Sequence, residues 1–194
     1  MADWAVLVAN GFLASSLATL IAAPIAACSP LSSRTAAAAL GAVTIAWVAV
    51  LSFAWRKTGV ASAAVAGPVA CLIGSVFLWH VGRVLRALIG DTLSAAMAGA
   101  SIGALLTLGA FAAGPLTSDW PAALINVALI SNPLITTASA AQIDFLHIDT
   151  IYRTSPLAHR GLALPAWTTA CVVYAVVGLA AYGASRIRPR SLRT

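Results

Sequence analysis

The chain has no glutamate, one lysine and only five acidic residues among 194. A soluble domain is about 25% charged, whereas this chain is 8% charged and 61% hydrophobic. So few charges cannot solvate a surface around so apolar a core, so lipid must be the main solvent. Cysteine is equally sparse. Cys28, Cys71 and Cys171 stand singly in apolar runs, with no CxxC and no adjacent histidine. That pattern excludes a disulfide framework and a zinc motif, leaving small packing residues. There is no GxxxxGK[ST] phosphate loop, no HExxH and no GxSxG elbow, so catalysis by this chain alone is not expected. No apolar run holds a central acid or base of the kind found in proton pumps and ion-coupled carriers. The nearest is Asp91, at the start of the fourth run, where it is expected to cap a helix.

What the chain does have is apolar length and a basic tail. Segments of about 20 apolar residues cross a hydrocarbon core, and five stand out: 4–27, 36–55, 60–81, 93–113 and 166–185. These predict an all-α, polytopic transmembrane helical bundle in a single membrane domain. Trp4, Trp55, Trp79, Trp120 and Trp167 fall near segment ends, as interfacial indoles do, with Trp47 well inside. The N-terminus lacks a basic n-region and its first run has spanning length, so a retained helix is expected rather than a signal peptide. The net charge of +6 is not gathered into a basic module with interleaved aromatics, so nucleic acid is not an expected partner. Arg186, Arg188, Arg190 and Arg193 crowd the last nine residues. They read as a cytoplasmic anchor under the positive-inside rule, within reach of anionic headgroups.

The stretch 120–142 is long enough to span but carries Asn126, Asn132, Pro133 and several hydroxyl residues, so five or six spans are open. With five, the tail side holds seven bases (Arg34, Arg83, Arg86 and the tail) against four (Arg56, Lys57, Arg153 and Arg160). With six, the split is six against five. The rule therefore favours five. Residues 115–163 then form one external excursion containing short interfacial helices, with 120–142 lying against the bilayer or dipping into it. Irregular backbone at Ser131-Asn132-Pro133 needs cover from protein or water.

Within the excursion, Asp144, His147 and Asp149 are close enough in sequence for a metal or proton-relay cluster. On a helix, however, Asp149 points about 160° away from His147. The better reading has Asp144 capping a short helix, Asp149 pairing with Arg153, and Phe145, Ile148 and Tyr152 forming a buried stripe. Asn132, Pro133, Phe145, Ile148 and Tyr152 are the expected cap and partner-contact residues. His80, Arg83 and Arg86, in "WHVGRVLR", are expected to turn the chain back at an interface; His80 is also a candidate ligand for a haem or chlorin. No cofactor is required by any motif, with pigment or lipid left open. Ala95, Gly99 and Gly103 recur every fourth residue, which favours close helix packing within the chain, or dimerisation.

Beside these residues, the C-terminal half, about 60–194, resembles the permease subunit of an ABC-2-type exporter. The similar features are a helix ending in "GAFAAGP", an external "NP" (Asn132-Pro133), a last helix opening near Trp167, and the terminal "SRIRPRSLR". Such permeases have six spans preceded by an amphipathic cytoplasmic helix, whereas this chain starts directly on an apolar run. The resemblance implies a separate cytoplasmic ATPase facing the loop around Arg83 and Arg86, or the one around Arg34. It also implies a dimer exporting a lipid-like or hydrophobic substrate between its subunits; a bacterial inner membrane is the expected location. The other reading is a non-catalytic accessory subunit of a respiratory or photosynthetic complex, in contact with other membrane subunits.

Overall fold

The computed structural model describes residues 2–29, 33–56, 61–112, 120–143 and 166–186. Among these the protein is all helical. The helices are α1 (Ala2–Cys28), α2 (Ser33–Trp55), α3 (Ala61–Ile89), α4 (Thr92–Ala112), α5 (Ala122–Ile130), α6 (Pro133–Ala140) and α7 (Trp167–Arg186). Helices α1 to α4 are each long and apolar enough to cross a membrane. The short pair α5 and α6 passes the same test together, bent by 80° at its break. Helix α7 adds a shorter apolar stretch, Trp167–Gly183. The chain is an integral membrane helical bundle.

Close contacts at small residues fix the helix directions. On α3, Gly67 faces Phe12, Gly74 faces Leu20, and Gly82 faces Pro24 and Ala27, so α1 and α3 run parallel. On α4, Gly99 faces Pro24 while Gly103 faces Ile21 and Leu20, so α4 runs antiparallel to both. The glycines are needed where backbones nearly touch. A Cβ at Gly82 would lie 2.4 Å from the Pro24 carbonyl oxygen. The Ala95, Gly99 and Gly103 stripe therefore serves packing within the chain: Ala95 is fully buried and both glycines meet Pro24. Helix α7 runs parallel to α3, with Cys171 clustered against Ala70, Tyr174 stacked on Phe77 at 5.3 Å, and Tyr182 edge-on to His80 at 5.3 Å. Trp47 of α2 packs on Phe12 and donates its indole N–H to Ser15 Oγ at 2.9 Å.

Helix α6 is laid along α3 in the opposite sense, with Pro133 against Gly74 and Ala141 against Gly67. Seven residues of α3 rise about 10.5 Å and eight of α6 about 12 Å, so the two ends of α6 match one stretch of α3. Helix α6 thus descends toward the end of the bundle where α1 and α3 begin. Helix α4 ends there and α7 starts there, so the α5–α6 pair leaves from one end of the bundle and returns to it.

Several expectations change. Helix α3 runs on to Ile89 instead of stopping near residue 81, carrying His80, Arg83 and Arg86 on its last turns. Nothing in "HVGRVLRALI" breaks a helix until Gly90, whose φ of 79° only glycine adopts freely and whose N–H closes on the Arg86 carbonyl. Trp79 consequently lies well inside α3 and is buried, not at a segment end. Asp91 does cap α4, its Oδ2 accepting the Ser94 N–H at 2.7 Å. The three cysteines are free and buried, as packing residues are. Asn132 and Pro133, expected as cap and partner contacts, are instead buried inside the bundle. The other expected cap residues, Phe145, Ile148 and Tyr152, the Asp149–Arg153 pair, and Arg188, Arg190 and Arg193 of the tail lie outside the described residues. Arg186 ends α7.

Candidate functional site

The break between α5 and α6 is where the described chain puts polar chemistry at depth. Pro133 begins α6, where a missing N–H costs nothing. Asn132 is its N-cap: Oδ1 accepts the N–H groups of Leu134 at 3.0 Å and Ile135 at 3.1 Å. Its Nδ2 donates to the Thr107 carbonyl of α4 at 2.9 Å. The Asn132 carbonyl accepts the Thr136 N–H at 3.1 Å. The orphan N–H groups at the start of α6 are thereby met.

The last carbonyls of α5 are met as well. Val127 accepts the Ser131 N–H at 2.9 Å and Leu129 the Asn132 N–H at 3.2 Å. Ala128 accepts Ser131 Oγ at 3.0 Å. Ile130 accepts the Tyr174 hydroxyl of α7 at 2.7 Å. The phenol hydrogen is committed to Ile130, and Thr136 Oγ1 donates to the Asn132 carbonyl at 3.1 Å while lying 3.2 Å from the Tyr174 hydroxyl oxygen. Thr107 and Thr137 return their hydroxyls to their own helices, at Gly103 and Pro133.

At its other end α6 stops in a Schellman turn. Ile143 N–H bonds the Ala138 carbonyl at 2.9 Å and Gln142 N–H the Ser139 carbonyl at 3.1 Å. Gln142 takes the left-handed position at φ 53°, where glycine would be unstrained.

Chemically, this node is a strut. Thr107, Asn132, Thr136 and Thr137 are buried, their polar atoms are used internally, and none is an acid, a base or an activated nucleophile. It ties α4 and α7 together through the broken pair. An unmet backbone group in lipid costs several kcal/mol, which explains why so many bonds converge on one bend.

His80 lies elsewhere, on the far half of α3 against Gly178 and Tyr182 of α7. No group of three or more His, Cys, Asp or Glu comes together among the described residues. The structure therefore brings Asn132 and Pro133 together with Thr107, Thr136 and Tyr174, and does not bring His80 to them. Thr107 and Tyr174 were not among the residues singled out from sequence. Each is a lone hydrogen-bonding side chain within an apolar helix, and that was the available signal. Comparisons with protein-family models, curated proteins and solved structures gave no match.

Proposed function

We propose that the protein is a permease-like membrane subunit of a transport complex driven by a separate ATPase. The observation that supports this is the position of the broken pair: between the fourth long helix and the last one, entering and leaving at one end of the bundle. That layout is similar to the exporter permeases of the ABC-2 type. With α1 to α4 and α7 as crossings and α5–α6 re-entrant, the termini lie on opposite sides. The arginine-rich tail supports a cytoplasmic C-terminus in a bacterial inner membrane. Arg83, exposed on the final turns of α3, and Arg34, at the start of α2, then face the ATPase. A lipid-like substrate moves between two copies, along apolar outer faces such as Val127 on α5 and Val176 and Leu179 on α7, all exposed.

One observation favours the accessory-subunit reading instead. The polar node is closed, so it offers a cargo no free polar group. Purification in mild detergent separates the two readings. A co-purifying ATP hydrolase, with ATP-dependent movement of a labelled lipid in proteoliposomes, supports the permease. Redox or pigment-bearing subunits without nucleotide hydrolysis support the accessory role. For topology, a cysteine placed at Thr150 should react with an impermeant thiol reagent in intact cells. Reaction only after permeabilisation refutes the orientation.

A further inference from the structure

A groove of about 550 Å³ runs between α1 and α2 at the end of the bundle where α1 begins. Its lining is apolar and includes Trp4, Leu7, Gly11, Trp47, Val50 and Phe53. Trp4, Leu7 and Phe53 are each more than half exposed, so the mouth opens sideways to the surroundings. At that mouth α2 ends, and the Arg56 guanidinium lies over the Phe53 ring, 5.1 Å from its centroid. A positive charge is thus fixed above the wall of an apolar slot that faces lipid.

We propose that this groove binds one acyl chain of an anionic phospholipid, with its phosphate on Arg56. Length, shape and charge agree. From Trp4 to Gly11 the helix rises about 10 Å, within the roughly 15 Å of one leaflet's hydrocarbon. Gly11, with no side chain, lets a chain reach Trp47 at the deep end. In the sequence, the ends of the two groove helices give Arg56 followed by Lys57, against one acid, Asp3. That balance selects an anionic headgroup over a zwitterionic one. The ring beneath the guanidinium holds it in place without neutralising it. The site is independent of the transport reading, since it needs only a bilayer.

Native mass spectrometry of the purified full chain tests it, offering phosphatidylglycerol and phosphatidylcholine of identical chains. The unaltered protein should retain phosphatidylglycerol preferentially. A basic residue at a membrane surface is worth about a fivefold preference, so Arg56→Gln should lower the ratio about fivefold and Arg56→Lys should restore most of it. Arg34→Gln, at the opposite end of α2, should leave the ratio unchanged. Ala49→Phe, which fills the groove, should lose both lipids. Equal retention of the two lipids by the unaltered protein overturns the assignment, as does an unchanged ratio in Arg56→Gln. If Ala49→Phe abolishes a dimer and leaves bound lipid untouched, the groove belongs to a second copy instead.

Discussion

Helices α2 and α6 are opposites in both composition and placement. Helix α6 carries Thr136, Thr137 and Ser139 in eight residues, yet Pro133 through Ala138 and Ala140 are buried. Helix α2 is apolar over most of its 23 residues, yet Leu51 is its one fully buried side chain among those described, while Ile45 and Phe53 point outward. In water this arrangement would be inside out. In lipid, an outward Ile or Phe loses nothing, whereas a broken backbone must find every partner within the protein. Burial here follows hydrogen-bonding need rather than hydrophobicity.

Attacks on the inner seam should have the largest effects. Gly82→Ala puts a methyl 2.4 Å from the Pro24 oxygen and 2.8 Å from its Cα, so α1 and α3 must part. Overpacking of this kind costs about 1–3 kcal/mol, and the upper end is expected because the obstacle is backbone. Gly41→Ala on α2, with nothing within 4 Å, should leave thermal stability in detergent unchanged. A Gly41 variant as damaging as the Gly82 one would erase the contrast between inner and outer helices.

Next comes the break itself. Asn132→Ala removes the cap of α6 and the tie to Thr107, leaving buried N–H groups unmet at about 1–3 kcal/mol. Asn132→Asp keeps the acceptor but buries a charge, and should not recover stability. Tyr174→Phe deletes the hydroxyl that donates to Ile130 and lies against Thr136, and an intramembrane hydrogen bond averages about 0.6 kcal/mol. Denaturation in mixed micelles should rank them in that order. A Tyr174→Phe loss exceeding that of Asn132→Ala would move the centre of the strut to α7.

The smallest effect is expected at exposed Asp91. The Ser94 N–H holds its carboxyl below the ordinary carboxylate range. A depressed folded pKa contributes stability that is present above the unfolded value and is lost as pH falls through the folded one. The melting temperature of the unaltered protein should exceed that of Asp91→Ala at neutral pH, and the gap should close below about pH 4. A gap that persists in acid would assign the difference to helix propensity rather than to the charged cap.

The long helices were legible because apolar runs of spanning length have few other fates, and the interruption at "SNP" was legible because Pro133 and Asn132 punctuate any helix. The fate of the interrupted piece was not. Its polar residues suggested a watery or interfacial setting, and the partners that make burial acceptable, Thr107 and Tyr174, lie 25 and 38–44 residues away in sequence. The end of α3 is masked in the sequence because Trp79 and His80 look interfacial, while the actual stop signal, Gly90, comes ten residues later.

The reach from Ile130 to Tyr174 also bears on how the protein is made. The two are 44 residues apart, so at about 5–20 residues per second the ribosome adds the tyrosine roughly 2–9 s after the carbonyl it must meet. During that interval the broken pair cannot be completed at depth, and membrane insertion of the bundle has to finish from its C-terminal end. A copy truncated before Tyr174 keeps the Ile130 carbonyl unmet. The last helix therefore doubles as the closing step of biogenesis.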